Sequence, residues 1–205
     1  MKRIIKICPV VSILVVICLL LGILTTFLGS VMYDLFAFHS KPIYCWQYFS
    51  GTFMHGSKEA PVWFIWFHLV LNTLMLLPFG GLLEYKRGSK YVFLVFITSM
   101  VISSIVFHIL TQNQEIQASG ISAIGYAFVT GGVMSMFSIW KNFNLGLKLF
   151  YILLIVLSLT MLLPNITGWI STFLHMSGIA SYIMVSSICL LYTSDAADER
   201  SSVDL

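Results

Sequence analysis

Four polar residues, His68, Asn72, Ser122 and His175, stand in segments otherwise apolar enough to span lipid. Polar side chains at such depth are costly, so they are functional candidates by default. A serine hydroxyl is a poor nucleophile until a neighbouring base takes its proton, and a neutral imidazole is the usual base near neutral pH. Ser122 and His175 have the residue types for those two roles. A tetrahedral intermediate also needs donors aimed at its oxyanion. The Asn72 amide, the His68 ring and the Ser122 backbone N–H could supply them, the last from a helix start, where amides lack intrahelical partners. The chemistry this set suits is acyl transfer.

Other chemistries lack their residues. No Asp or Glu occurs between Glu115 and Asp195, so no carboxylate on the fourth, fifth or sixth apolar stretch can orient His175. The expectation is a Ser-His dyad whose ring is held by packing, with Tyr126 one turn after Ser122 placed to stack on it. There is no H-E-x-x-H for zinc and no pair of intramembrane aspartates. Neither metal nor cofactor is expected. Cys8, Cys18, Cys45 and Cys189 show no C-x-x-C spacing.

The elements that must position these residues are membrane helices. Of the 205 residues, 59% are hydrophobic and 9% charged, with a mean hydropathy of +0.95, far from the soluble norm. An all-α polytopic protein follows, with residues 1–192 as one domain built by helices packing in lipid. Six spans are expected: Ile4 to Gly29, Pro61 to Leu83, Tyr91 to Leu110, Gly120 to Trp140, Leu145 to Leu163 and Gly168 to Tyr192. Each but the fifth reaches the ~20 residues that cross ~30 Å of hydrocarbon. The basic start (Lys2, Arg3, Lys6) raises a signal peptide as an alternative, but the apolar run is too long and no clear cleavage site follows.

Lys and Arg near span ends stay cytoplasmic. Lys2, Arg3, Lys6, Lys86, Arg87, Lys90, Lys141 and Lys148 fall on one side of six spans, with Lys41 and Lys58 on the other. A multi-pass cell-membrane protein with both termini cytoplasmic is the expectation, and the net charge of +3 calls for no nucleic-acid partner. With that orientation His68, Ser122 and His175 all fall in the outer half of the bilayer, and Asn72 lies one turn below His68 on the same face.

These residues carry a resemblance to the rhomboid intramembrane serine proteases of the six-span bacterial type. Gly120-Ile121-Ser122-Ala123-Ile124-Gly125-Tyr126-Ala127 resembles the family's G-x-S-x nucleophile segment with its following Tyr-Ala. His68 to Asn72 is similar to its H-x-x-x-N, Gly80 to Glu84 to its G-G-x-x-E, and His175 to Gly178 to its H-x-x-G. Trp46-Gln47-Tyr48-Phe49 and Phe53-Met54-His55 resemble W-R-x-x-T-x-x-F-x-H. The resemblance implies a six-helix bundle that cleaves transmembrane segments of other proteins near their outer ends. It implies Ser122 as nucleophile, His175 as base then acid, and His68 and Asn72 at the oxyanion. Gly120 and Gly178 would let the fourth and sixth spans approach. The aromatic loop from Ser30 to Ala60 would lie in the outer interface.

The departures are Gln47 for Arg, Ala123 for Gly, Leu174 for a small residue, Tyr182 where a second Gly would favour close packing, and extra residues over Gly56 to Val62. Leu174 and Tyr182 put the helix spacing in question. Ser119 is a rival nucleophile, His108 reads as a packing residue, and Glu84 is expected to bond loop backbone or pair with Lys86 or Arg87. Two other classes remain. One is a catalytically weak or inactive rhomboid-like protein that binds membrane clients, against which both Ser122 and His175 are retained. The other is a transporter relaying protons through His68, His108 and His175, against which no intramembrane acid or internal repeat is found. The stretch 193–205 turns abruptly acidic and reads as a disordered tail, and its resemblance to translated adaptor sequence marks it as non-native.

Overall fold

The computed structural model describes the backbone of residues 8–203 and the side chains of residues 8–190. Lys2, Arg3, Lys6 and the start of the first expected span lie outside the described residues. So do the side chains of the expected tail.

Helix α1 runs Pro9–Leu28, with Pro9 at a first-turn position where a missing N–H is harmless. A short helix, α2 (Ser30–Phe36), follows. The aromatic loop is more ordered than an interfacial loop need be. Strand β1 (Phe38–His39) pairs antiparallel with β2 (Gln117–Ala118), and 3-10 turns cover Cys45–Tyr48 and Ser50–Phe53. Buried Gln47 organises this loop. Its Oε1 accepts from the amides of Ile43 (2.8 Å) and Tyr44 (3.1 Å), and its Nε2 donates to the Asp34 carbonyl (2.7 Å). A neutral amide thus fills the departure from Arg, with no charge to bury.

Helix α3 (Val62–Met75) passes through a π turn (Leu76–Gly80) into α4 (Gly81–Arg87). Pro78 within the turn has no N–H to donate and crowds the preceding carbonyls, which accounts for the widening. Buried Glu84 corrects the expectation that it would meet loop backbone or Lys86 or Arg87. Its two carboxylate oxygens accept from the first amides of α1, Val10 (2.9 Å) and Val11 (3.0 Å). Those amides have no intrahelical partner, so a carboxylate is well placed there.

Helix α5 spans Ser89–Thr111, α6 Ser122–Phe137, α7 Leu145–Thr160, α8 Pro164–Thr167 and α9 Trp169–Val203. Four helical stretches are long and apolar enough to cross a membrane: Pro9–Leu28, Val62–Arg87, Ser89–Thr111 and Trp169–Leu190. The fourth expected span is shorter than its hydropathy suggests. Like α7, α6 has 16 residues, or about 24 Å at 1.5 Å per residue. Hydropathy sees composition alone. The chain between Gly120 and Ser122 is not helical, because Gly120 has φ +134°, and a 3-10 turn (Trp140–Asn142) follows the other end.

Ten of the 16 residues of α6 are buried, against three of 16 in α7 (Tyr151, Leu154 and Ser158). The segment around Ser122 therefore opens the central helix of the bundle, and α7 is peripheral. Tyr182 does not force α9 away from α6, because Gly131 faces it. A Cβ on Gly131 would lie 2.5 Å from the Tyr182 ring, so the missing volume on α6 matches the added volume on α9.

Candidate active site

Ser122 is the first residue of α6, and no side chain caps that helix start. Its first-turn amides lack intrahelical partners, and the helix dipole is positive there. His175 lies in the second turn of α9, and Ser122 Oγ stands 3.0 Å from His175 Nε2. Gly178 makes the approach possible. A Cβ there would run into the Ala123 carbonyl, so α9 lies directly on the first turn of α6. Leu174, the bulkier neighbour, instead lines the adjoining cavity.

The other face of the His175 ring is stacked on Tyr126, with centroids 4.3 Å apart and planes inclined by 27°. Tyr126 is fixed in turn by its hydroxyl, which donates to the Ser158 carbonyl at 2.6 Å. Packing is only part of what holds the imidazole. His175 Nδ1 lies 3.2 Å from the carbonyl oxygen of Met161, the residue capping the C-terminus of α7. A carbonyl can only accept, so Nδ1 carries the proton and Nε2 of the neutral ring presents its lone pair to Ser122. The same carbonyl also takes the Thr167 hydroxyl at 3.2 Å. Sequence reasoning missed Met161, since every residue has a carbonyl and no residue type marks this one.

His68 is set the opposite way. The amide of Gly56 donates to His68 Nδ1 at 3.2 Å, so the proton of the neutral ring is on Nε2. That nitrogen faces the start of α6: a Cβ on Gly120 would lie 3.1 Å from His68 Nε2 and 3.8 Å from Ser122 Oγ. Gly120 is thus required both for its φ and for the closeness of the ring. One turn below, the Asn72 amide nitrogen is buried without a hydrogen-bond partner among the described residues. A buried unsatisfied donor costs ~1–3 kcal/mol unless something meets it, and a developing oxyanion would.

These groups share one cavity of about 410 Å³. Phe64, Phe67, Leu71 and Met75 of α3 form one apolar wall, with Ile170 and Leu174 of α9 opposite. His68, Asn72, Ser122 and His175 are among its polar lining residues. A larger cavity on the loops around β1 and β2 is lined by Lys41, Lys58, Glu59 and Glu115 and contains neither Ser122 nor His175.

The remaining candidates fall outside the dyad. The Ser119 hydroxyl donates to the Gly56 carbonyl, with no base at its oxygen among the described residues. The His108 ring nitrogens lie 2.8 Å from the Ser104 carbonyl and 3.1 Å from the His39 carbonyl, of which a neutral ring can donate to one, and the ring leans on Tyr48, a packing role. His55 is buried edge-on to His68, with centroids 5.2 Å apart. Burial, and after it the nearness of His68, pushes this loop histidine down to about 3, so no charge sits beside His68. Among the described residues no group of His, Cys, Asp or Glu could hold a metal ion.

A family model described as Rhomboid domain matches residues 42–192, which include His68, Asn72, Ser122 and His175. Compared with curated proteins, the chain has no match.

Proposed function

The chain belongs to the rhomboid family, and from that premise we propose that it is an intramembrane serine endopeptidase cleaving transmembrane segments of other membrane proteins through a Ser122-His175 dyad. The observation carrying the proposal is the 3.0 Å contact between Ser122 Oγ and an imidazole nitrogen left unprotonated by the bond its other nitrogen makes.

On this reading His175 Nε2 takes the Ser122 proton as Oγ attacks the scissile carbonyl carbon. The oxyanion forms against His68 Nε2–H, the Asn72 amide and the Ser122 backbone N–H, and the imidazolium then protonates the leaving amine. Water drives the reverse sequence on the acyl-enzyme. The Met161 carbonyl takes the orienting part that a carboxylate takes in a triad. Its position at the C-terminus of α7 adds the negative end of a helix dipole beside the transient imidazolium.

The substrate segment would enter between α3 and the α7 to α9 side, where the cavity walls are apolar and Phe67 is exposed. Six membrane crossings, with α6 and α7 as the two short ones, and cytoplasmic termini complete the proposed arrangement in the cell membrane. The lysine and arginine distribution supports that orientation.

Fluorophosphonate labelling of the purified protein in detergent tests the assignment. Wild type and Ser119→Ala should label, while Ser122→Ala and His175→Ala should not. Equal labelling of wild type and Ser122→Ala overturns the nucleophile. An unlabelled wild type favours the client-binding alternative.

A further inference from the structure

Three hydrogen bonds converge on the two peptide units that flank the Gly56 Cα, where the loop before α3 passes the site. The hydroxyl of Tyr33 donates to the His55 carbonyl at 2.7 Å. The N–H of that same planar peptide unit, on Gly56, donates to His68 Nδ1 at 3.2 Å. On its far side the Gly56 carbonyl accepts the Ser119 hydroxyl. Gly56 has φ +83°, and a Cβ there would stand 2.8 Å from the Tyr33 oxygen and 2.9 Å from Ile65, so no other residue fits between these partners.

Resting on the assignment of His68 to the oxyanion, we infer that Tyr33 and Ser119 are positioning residues that hold His68 in its Nε2–H form through the Gly56 backbone.

The physical case has three parts. Donation into a carbonyl polarises the N–H of the same peptide unit, so the Tyr33 hydroxyl strengthens the bond that selects the tautomer. Tyr33 is buried, and burial pushes its phenol up to about 12, which keeps the hydroxyl a donor through any working pH. Ser119 ties the loop to the nucleophile segment. Its neighbour Gly120 donates its amide to the Gly51 carbonyl at 3.0 Å, so two bonds join residues 119 and 120 to the loop that sets His68. Without them the ring is free to take the Nδ1–H form. That form turns a lone pair, rather than a proton, toward the place where negative charge develops.

The experiment uses the full chain in detergent with a fluorophosphonate probe, measuring saturation and maximal labelling rate separately for wild type, Tyr33→Phe, Ser119→Ala and Ser119→Thr. A lost donor that acts through one intermediary is expected to lower the maximal rate about tenfold in Tyr33→Phe and Ser119→Ala, less than the ~10²–10³ of a direct oxyanion donor. Half-saturation should stay within about twofold, and Ser119→Thr, which restores the hydroxyl, should recover the rate. Histidine ¹⁵N spectra of the same samples should show His68 Nδ1 unprotonated in wild type and mixed tautomers in the two slow variants.

Wild-type rates and spectra in both variants overturn the inference. So does a wild-type His68 protonated at Nδ1, a result that needs no variant to fold. An unlabelled wild type with His68 in the Nε2–H form and mixed tautomers in the variants would instead sink the protease reading and leave the positioning intact.

Discussion

His68 and His175 are the same side chain turned to opposite ends, and the backbone atom that meets each Nδ1 makes the difference. The loop before α3 presents an N–H, from Gly56, which leaves His68 Nε2 a donor. The end of α7 presents a C=O, from Met161, which leaves His175 Nε2 an acceptor. A carboxylate could also fix a tautomer, but a charge taken into a low-dielectric interior costs several kcal/mol unless fully compensated. Peptide groups supply polarity without net charge, a suitable device for chemistry among apolar helices. They are also weaker. A carbonyl carries a fraction of a carboxylate's charge and the α7 dipole adds roughly 0.3–1 kcal/mol, up to ~2 in partly buried geometry, so an imidazolium in the proposed dyad would be less stabilised than in a triad.

The largest test of the distinction substitutes glutamine at both positions. His175→Gln cannot shuttle a proton and should lose ~10²–10⁴ in fluorophosphonate labelling rate. At the other histidine, His68→Ala should lose ~10²–10³, and His68→Gln should regain part of that, because its amide can still donate. Equal losses for the two glutamine variants would erase the proposed difference. Next in size, Gly178→Ala pushes α9 off the Ala123 carbonyl and should lower labelling by ~10², since about 1 Å of misplacement suffices for that. The His68 ¹⁵N spectrum should not change with it, confining the damage to the His175 side.

A smaller effect is expected of Tyr126→Phe, which keeps the stacked ring and loses the bond to Ser158. A fall of a few-fold, against a deeper one for Tyr126→Leu, would rank ring stacking above the hydroxyl. The smallest effect lies on the loop side. The hydrogen bond from Lys58 foremost, with lesser help from Gln117, holds the Asp34 carboxyl below its usual range. A depressed carboxylate stabilises above its unfolded pKa and loses that contribution as pH falls through the folded one. Thermal unfolding of Asp34→Asn should therefore lie slightly below wild type at neutral pH and converge with it in acid.

Much of the site was legible because polar residues in apolar spans are conspicuous. Ser122, His175, His68, Asn72 and Tyr126 could be placed by spacing, and the structure brings them to one cavity. What escaped were partners with no residue signature, the Met161 carbonyl and the Gly56 amide. Glu84 was visible as a buried acid but not its partner, since free amides at a distant helix start leave no mark in sequence. The length of α6 was overread because an apolar run continues through Gly120 while the backbone does not. Tyr182 looked too large only while Gly131 was out of view.

The Met161 carbonyl has a consequence for inheritance. No codon change deletes a carbonyl, and only proline deletes an amide, which φ +83° at Gly56 forbids. An alanine scan of this protein would reach the proposed nucleophile, base and oxyanion side chains and the loop residues behind His68, while staying silent about the carbonyl that sets His175. Selection can reach that carbonyl only through the path of the chain, so it drifts with the bundle's shape and leaves no letter behind for comparison.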